Sequence, residues 1–166
     1  MGYCVVDFET TGLSGRADEV IEFAAVRVDA ERREIGLYVA SLCRPQLRIP
    51  ARITEITGIT DGMVAGYPLF AELLPGLLSF IGDDVFVAHN APFDLSFLRA
   101  YCERGGREFP NAAYCTLSAA RRRYPELHSH RLSSVAGHLG VGSDGWHRAL
   151  GDAMTTAQVF LALQGG

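Results

Sequence analysis

The stretch YCVVDFETTG, residues 3–12, places two carboxylates at the end of an apolar strand pattern. β-Branched and aromatic residues favour a strand over Tyr3–Phe8, and the Thr-Thr-Gly sequence after Glu9 ends it. Residues two apart in a strand point to the same face, so Asp7 and Glu9 converge on one spot. Such a pair is costly unless a cation or an arginine lies beside it. Taken alone, the pair is explained more simply by two solvated acids at an exposed strand end.

Two more strand patterns follow, at Glu19–Asp29 and Glu34–Cys43, and short polar breaks join all three into a predicted antiparallel meander. Helical patterns and two short strands then alternate. The predicted helices are Pro50–Thr57, Tyr67–Ile81, Asp94–Glu103, Leu117–Tyr124, Arg131–Leu139 and Ala149–Leu163, and the strands are Asp84–Ala88 and Ala113–Cys115. This order predicts an α/β fold in which helices flank a mixed five-stranded sheet, the meander plus parallel strands. The even composition predicts a single domain over residues 1–166.

The composition excludes two classes of protein. With 48% hydrophobic and 20% charged residues, the chain is not of the disordered type. Its 19 acidic residues outnumber the 15 basic ones, all of them Arg, for a formal net charge of −4. This balance excludes a protein that coats nucleic acid through bulk positive charge. An enzyme with a local acidic site remains open.

Targeting and redox features predict a cytoplasmic protein. We expect no membrane span, because no run of about 18 apolar residues is present. The start MGYCVVDFE carries acids where a signal peptide carries bases. The cysteines, Cys4, Cys43, Cys102 and Cys115, are far apart and lack zinc-ligand spacing, so we expect unpaired thiols.

Two further acids and a histidine lie where helices are predicted to begin. Asp94 comes just after a short strand, and Asp152 lies early in the last helix, with His147 five residues before it. Helix capping explains Asp94 alone, and the helix dipole explains Asp152 alone. In the loop before Asp94, we assign His89 and Asn90 structural roles as residues that hydrogen-bond the backbone.

The acids carry more information as a set. Open α/β sheets gather their sites at strand ends and helix starts, and carboxylates crowded there raise one another's pKa. Divalent ions relieve that repulsion, and hard oxygen ligands favour Mg²⁺ or Mn²⁺ over zinc. Two such ions about 4 Å apart stabilise the attacking and leaving oxygens of phosphoryl transfer. The predicted metal ligands are Asp7, Glu9, Asp94 and Asp152.

Three motifs occur in a characteristic order: VVDFETTG at Val5–Gly12, VAHNAPFDLSFL at Val87–Leu98 and HRALGDA at His147–Ala153. They resemble the three exonuclease motifs of the DEDDh 3′–5′ exonucleases. This family includes the epsilon proofreading subunit of bacterial DNA polymerase III and the exonuclease domain of the Gram-positive replicative polymerase. Pro50–Val64 is similar to the family's segment between its first two motifs. The resemblance implies a ribonuclease-H-like fold, two Mg²⁺ or Mn²⁺ ions, and release of nucleoside 5′-monophosphates from single-stranded or frayed DNA 3′ ends.

The resemblance also implies a role for each catalytic residue. Asp7 bridges both ions, Glu9 and Asp152 complete one site, and Asp94 holds the second. His147 acts as general base on the attacking water, since imidazole exchanges protons near neutral pH. The glycine-rich loop before His147 would let it swing in when substrate binds.

Substrate contacts follow from the same resemblance. Thr10 offers its backbone N–H to the terminal nucleotide, and Thr57 contacts the terminal sugar. Phe93 lies near the terminal base or in the core. Four arginines flank the motif segments and are candidate contacts to the nucleic-acid backbone: Arg16, Arg52, Arg131 and Arg148.

Several alternatives stay open at this point. The substrate could be RNA, since nothing in the sequence reads the 2′-hydroxyl. A non-catalytic module that binds nucleic-acid ends or a polymerase is a second class, and a metal-dependent phosphoesterase for mononucleotides is a third. Cys115–Thr116 stands where many members of the family have Asp–Thr, but this position is not one of the catalytic acids. Both a polymerase subunit and a stand-alone exonuclease fit the motifs.

Overall fold

The five strands form one sheet in the order β3-β2-β1-β4-β5 in the computed structural model, which describes residues 2–142 and 147–165. The strands are β1 Tyr3–Thr10, β2 Val20–Asp29, β3 Glu34–Leu42, β4 Val85–Ala88 and β5 Ala113–Cys115. The helices are α1 Ala51–Thr57, α2 Asp61–Val64, α3 Phe70–Ile81, α4 Ala91–Arg104, α5 Thr116–Arg123, α6 Leu132–His138 and α7 Ala149–Gln164. Strands β1 to β3 are antiparallel, and β4 is parallel to both β1 and β5. The predicted mixed sheet is confirmed.

Strand β1 separates two hydrophobic cores. Its residues Cys4, Val6 and Phe8 belong to the core that α3 and α4 complete. Val5 belongs to the other core, which α7 completes. Because side chains alternate along a strand, Asp7 and Glu9 share the face of Val5 and point toward α7.

Two element boundaries near the predicted site differ from expectation. Strand β1 runs past Phe8 to Thr10, because β2 continues to pair with it as far as Val20. Helix α4 begins at Ala91, three residues before Asp94. Asn90, in the left-handed region with φ 76°, caps it, and Asn tolerates that conformation better than most residues. Asp94 therefore lies inside the helix, and the interpretation of it as a cap is wrong.

The helices between β3 and β4 also differ from the prediction. Helix α2 was not predicted, because four residues are too few for apolar periodicity; Thr60 caps it by accepting a hydrogen bond from the Met63 N–H. Helix α3 begins at Phe70 rather than at Tyr67. At this start, the Glu72 side chain accepts a 2.7 Å hydrogen bond from the Leu69 N–H.

Two simpler expectations can be compared with the structure. All four cysteines are unpaired, as expected. Among the helices of the described residues, none combines the length and the apolar character needed to cross a membrane.

Candidate active site

Strand β1 and helix α7 bring three carboxylates together. Over its first turns, α7 faces the sheet with small and fully buried residues, so the helix backbone there lies close to β1 and β2: Ala149, Ala153 and Ala157. Asp152 lies in the first turn of α7. One oxygen each from Asp7, Glu9 and Asp152 lies within 4.8 Å of the others.

Asp152 has one carboxylate oxygen with a partner and one without. Its Oδ2 accepts a 3.1 Å hydrogen bond from the His147 N–H. Its Oδ1 is buried and has no hydrogen-bond partner among the described residues. An unpaired buried carboxylate oxygen is costly, and a cation removes that cost. The all-oxygen set of Asp7, Glu9 and Asp152 fits a hard divalent ion.

Asp94 approaches the same end of β1 from helix α4. Its side chain is buried, and its Oδ1 accepts a 3.2 Å hydrogen bond from the Phe8 N–H. That N–H lies beyond the point where β4 stops pairing with β1, at Val5. Asp94 does not belong to the group of three within 4.8 Å, but its charge is among the causes that raise the pKa of Asp7. The structure therefore places all four predicted acids in one neighbourhood.

Burial, together with repulsion from neighbouring carboxylates, raises the pKa of each of the four acids. The pKa of Asp7 lies well above its usual range because the carboxyl is buried and faces the charges of Asp94, Glu9 and Asp152. Burial, followed by the charge of Asp152, raises the pKa of Glu9 to about 8. Burial also raises the pKa of Asp94 and Asp152, although backbone hydrogen bonds oppose the shift. Without a cation, such a cluster retains protons that solvated carboxyls would release.

His147 lies beside Asp152, in the turn before α7. Its backbone has φ 62°, in the left-handed region, and its side chain is exposed. Both residues line one cleft. The imidazole is therefore adjacent to the carboxylate cluster and accessible to solvent. The expected mobility of the preceding loop concerns residues 143–146, which lie outside the described residues.

The three predicted substrate residues differ in their surroundings. The Thr10 hydroxyl is buried and donates to the Gly12 carbonyl. The Thr57 hydroxyl is also buried, donates to the Ile53 carbonyl and accepts from the Ile59 N–H. It is thus used within the chain, and no signal in the sequence distinguished this role from a sugar contact. Phe93 is half-buried and packs on Phe97 with 5.2 Å between ring centroids.

Arg148 has a partner that the sequence did not predict. Its Nε lies 3.1 Å from both Glu22 oxygens, and its Nη2 lies 2.7 Å from Oε1. This two-pronged ion pair uses Nε and Nη2 and leaves the side chain 46% exposed, so the expected contact of Arg148 with the nucleic-acid backbone stays a prediction. Sequence reasoning missed Glu22, which sits inside an alternating strand pattern. No local signal pointed to Glu22, because its place opposite Glu9 emerges only from the pairing of the strands.

A cleft of about 850 Å³ opens beside Asp152 and His147. Its far wall comes from α5 and the segment before α6, and includes Arg121, His130 and Arg131. His89 lies in its lining, where its ring contacts the Thr116 hydroxyl and the His130 carbonyl, both at 2.9 Å. Burial lowers the pKa of His89. Its structural role is confirmed.

The chain is similar in sequence to known exonucleases and polymerase proteins. It matches the RNase T family model, described as "Exonuclease", over residues 4–160. It is 39% identical over 162 residues to the DNA polymerase III epsilon subunit of Aquifex aeolicus, covering 97% of this chain and 79% of that protein. It is 40% identical over 157 residues to the PolC-type DNA polymerase III of Clostridium perfringens, covering 95% of this chain. The chain spans only 11% of the length of that polymerase.

Structural similarity agrees with these matches. The chain superimposes on exonuclease X in complex with 5′ overhanging duplex DNA with a TM-score of 0.80 and 29% identity, covering 97% of this chain and 90% of that one. The expected ribonuclease-H-like fold is confirmed. The chain belongs to the RNase T exonuclease family, which confirms the exonuclease class indicated by the three motifs.

Proposed function

We propose that this chain removes nucleoside 5′-monophosphates one at a time from the 3′ end of DNA by metal-dependent hydrolysis. The observation that carries the proposal is the cluster of Asp7, Glu9 and Asp152 within 4.8 Å, with Asp94 bound to the adjacent Phe8 N–H. A family of exonucleases and a relative in complex with DNA support it. We further propose that residues 1–166 act as one catalytic unit in the cytoplasm.

The residues at the site fit divalent metal. The donors are all carboxylate oxygens, one of them buried without a partner. Asp7, Glu9 and Asp152 would hold one Mg²⁺ or Mn²⁺ ion, and Asp7 and Asp94 a second. Bound there, the ions would neutralise the carboxylates and supply positive charge to the attacked phosphodiester.

His147 is the group placed to move a proton. As an exposed imidazole next to Asp152, it would accept the proton of the attacking water, whose oxygen forms the new bond to phosphorus. The bond between phosphorus and the 3′ oxygen breaks, and that oxygen takes a proton from solvent water to become the new 3′ hydroxyl of the strand. The hydrogen bond from the His147 N–H to Asp152 Oδ2 ties the base to the carboxylate cluster.

The cleft gives the strand a path away from the carboxylates. Arg121 and Arg131 are exposed on its wall and form no ion pair with a described residue. Both are therefore available to bind phosphates of the strand upstream of the cleaved bond. The similarity to polymerase III proteins supports a DNA polymerase as protein partner.

The polarity of the reaction tests the proposal. Single-stranded oligonucleotides labelled at the 5′ or the 3′ end are incubated with Mg²⁺ or Mn²⁺. The 5′-labelled strand should yield a descending ladder, and the 3′-labelled strand should release labelled monophosphate at once. Release of monophosphate from the 5′ end first, or no release at all, contradicts the proposal. A matched RNA strand shows which nucleic acid is preferred, and faster cleavage of RNA would assign the chain to the exoribonuclease alternative.

Asp7→Asn is the variant that connects this activity to the site. It keeps the side-chain shape but removes a charge that both metal sites use. We expect the rate to fall more than about 100-fold, since even the outer partners of metal ligands are worth about 10- to 100-fold. Glu55→Asn, at an exposed position of α1, is the control and should retain the parent rate.

A further inference from the structure

An ion pair between a buried glutamate and a half-exposed arginine joins strand β2 to the start of helix α7. The Glu22 side chain is only 9% exposed, yet it carries a charge on a sheet position opposite Glu9. Arg148 binds both of its oxygens through Nε and Oε1 through Nη2. Glu22 Oε2 also accepts a 2.9 Å hydrogen bond from the Ala149 N–H, the first backbone donor of α7. We call this arrangement of Glu22, Arg148 and the Ala149 N–H the clamp.

The clamp continues into the candidate active site. The Arg148 carbonyl accepts a 3.0 Å hydrogen bond from the Asp152 N–H, and Asp152 Oδ2 accepts one from the His147 N–H. Residues 147–149 are therefore tied to Glu22 on one side and to Asp152 on the other. Asp152 itself is fixed by the packing of α7 on the sheet, whereas His147 precedes the helix and lacks that support.

The backbone of His147 shows why such support is needed. A φ of 62° is uncommon for a residue with a side chain. Conformations of this kind persist only where the surroundings over-determine them. In the described residues around His147, those restraints are its hydrogen bond to Asp152 and the fixed position of Arg148. Loss of the clamp removes the second restraint.

We infer that Glu22 and Arg148 are positioning residues that hold His147 against Asp152. The inference rests on the proposed function for its catalytic consequence, but its structural content does not depend on activity. A purely stabilising ion pair is the competing interpretation, and it predicts no specific effect on His147.

The test compares Glu22→Gln with the parent by nuclear magnetic resonance. Glutamine keeps the shape of Glu22 but loses the charge that grips Arg148. We expect the His147 ring resonances to shift and the amide protons of residues 147–149 to exchange faster, while the amides later in α7 keep their protection. Glu19→Gln is the matched control, because the Glu19 carboxylate also accepts two backbone N–H groups, from Gln46 and Leu47, away from the carboxylate cluster. It should leave the His147 signals unchanged.

Kinetics supply the second readout. We expect Glu22→Gln to lower kcat by about 10- to 100-fold, a loss of the size seen when a residue that orients a metal ligand is removed. KM should stay within about twofold of the parent, because a residue that only positions the general base acts on the chemical step. The effects of Glu22→Gln and His147→Ala on kcat should be non-additive. The double variant should therefore be no slower than His147→Ala alone.

The outcomes separate the inference from the proposed function. Unchanged His147 resonances in folded Glu22→Gln, or an additive double variant, overturn the clamp's positioning role. Shifted resonances in a protein that degrades no nucleic acid support the clamp and contradict the exonuclease proposal alone. If Glu22→Gln does not fold, Arg148→Gln replaces it, because that variant keeps the hydrogen bond from the Ala149 N–H to Glu22 Oε2. The same changes in the His147 resonances and in kcat are expected of it.

Discussion

Asp152 divides its two oxygens between two tasks. Oδ2 accepts the hydrogen bond from the His147 N–H, while Oδ1 is buried with no partner among the described residues. The first contact orders the turn that carries the histidine, and the second oxygen remains available to a cation. One carboxylate thereby connects the proposed proton acceptor with the proposed metal site.

Removal of the imidazole separates those two tasks. We predict that His147→Ala lowers the rate of nucleotide release by about 100- to 10,000-fold, the usual range for a general base. Its N–H and the four acids remain, so the rise in Tm on adding Mn²⁺ should match the parent. His138→Ala, on the exposed side of α6, is the control. Parent-like rates for His147→Ala would remove the histidine from the mechanism.

Glu9 is expected to stabilise the metal-bound enzyme at the expense of the metal-free fold. Its pKa rises from 4.5 to about 8, so the folded chain disfavours the charged form that prevails in the unfolded chain at neutral pH. We predict that Glu9→Gln raises Tm by several degrees in EDTA at pH 8, and that the gain shrinks as the pH falls toward 4.5. Thermal melts of Glu9→Gln and of Glu55→Gln, an exposed control, measure this; equal Tm values at pH 8 would contradict it.

Single residues of the site differ in how far the sequence could reveal them. The spacing of Asp7 and Glu9 predicted a shared face because side-chain alternation in a strand is local. The burial of Asp94 depends on where α4 begins, which the left-handed Asn90 decides. Glu22 and Arg148 are 126 residues apart, and only the packing of α7 on β2 brings them together. No local pattern carries that information.

At the scale of elements, the approach of α7 to the sheet sets the spacing of the carboxylates. Ala149, Ala153 and Ala157 have no exposed surface and form the contact with β1 and β2. Asp152 precedes one of these alanines, so its distance from Asp7 depends on how closely the helix packs. A larger side chain in this contact should move the helix outward.

Ala153→Leu tests that dependence. We predict a loss of about 1–3 kcal/mol in the free energy of unfolding, the usual cost of overpacking a core, together with weaker Mn²⁺ binding by the folded protein. Chemical denaturation and Mn²⁺ titration measure the two effects. Gln158→Leu, on the exposed face of α7, should change neither. Unchanged Mn²⁺ affinity in folded Ala153→Leu would show that helix spacing does not control the site.

Elements with local signals were predicted well. The meander follows from alternating strands and short polar turns, and Gly58, with φ 72°, ends α1 as its position after Thr57 predicts. The starts of α3 and α4 were misplaced because side-chain contacts at Glu72 and the backbone of Asn90 decide them. The order of the strands also needs pairing between segments about 80 residues apart, which periodicity does not encode.

At the scale of the whole molecule, the net charge of −4 equals the formal charge of the four clustered acids. Two divalent ions would bring the total to zero. The acidic composition is thus compatible with a nucleic-acid enzyme, because metal ions bound at the four acids would offset the net negative charge. Arg121 and Arg131 supply local positive charge on the cleft wall.

This distribution predicts how stability depends on pH. Since folding raises the pKa of Asp7, Glu9, Asp94 and Asp152, the folded state binds more protons, and stability in EDTA should fall as the pH rises from about 5 to 8. Mn²⁺ binds the deprotonated carboxylates, so the Tm gain it gives should grow over the same range. Melts at each pH with and without Mn²⁺ measure that gain. Parallel curves of Tm against pH with and without Mn²⁺ would show that the metal binds elsewhere. In Asp7→Asn, Mn²⁺ should raise Tm little at any pH.

A crystal structure with Mn²⁺ and a deoxynucleoside 5′-monophosphate examines site and reaction together. Anomalous scattering should place two Mn²⁺ ions on the Asp7 carboxylate, with Glu9 and Asp152 on one, Asp94 facing the other, and the nucleotide phosphate contacting both. His147 should face that phosphate. Bound nucleotide with no Mn²⁺ on Asp7, or Mn²⁺ held only by residues outside the four acids, would refute the two-metal exonuclease site.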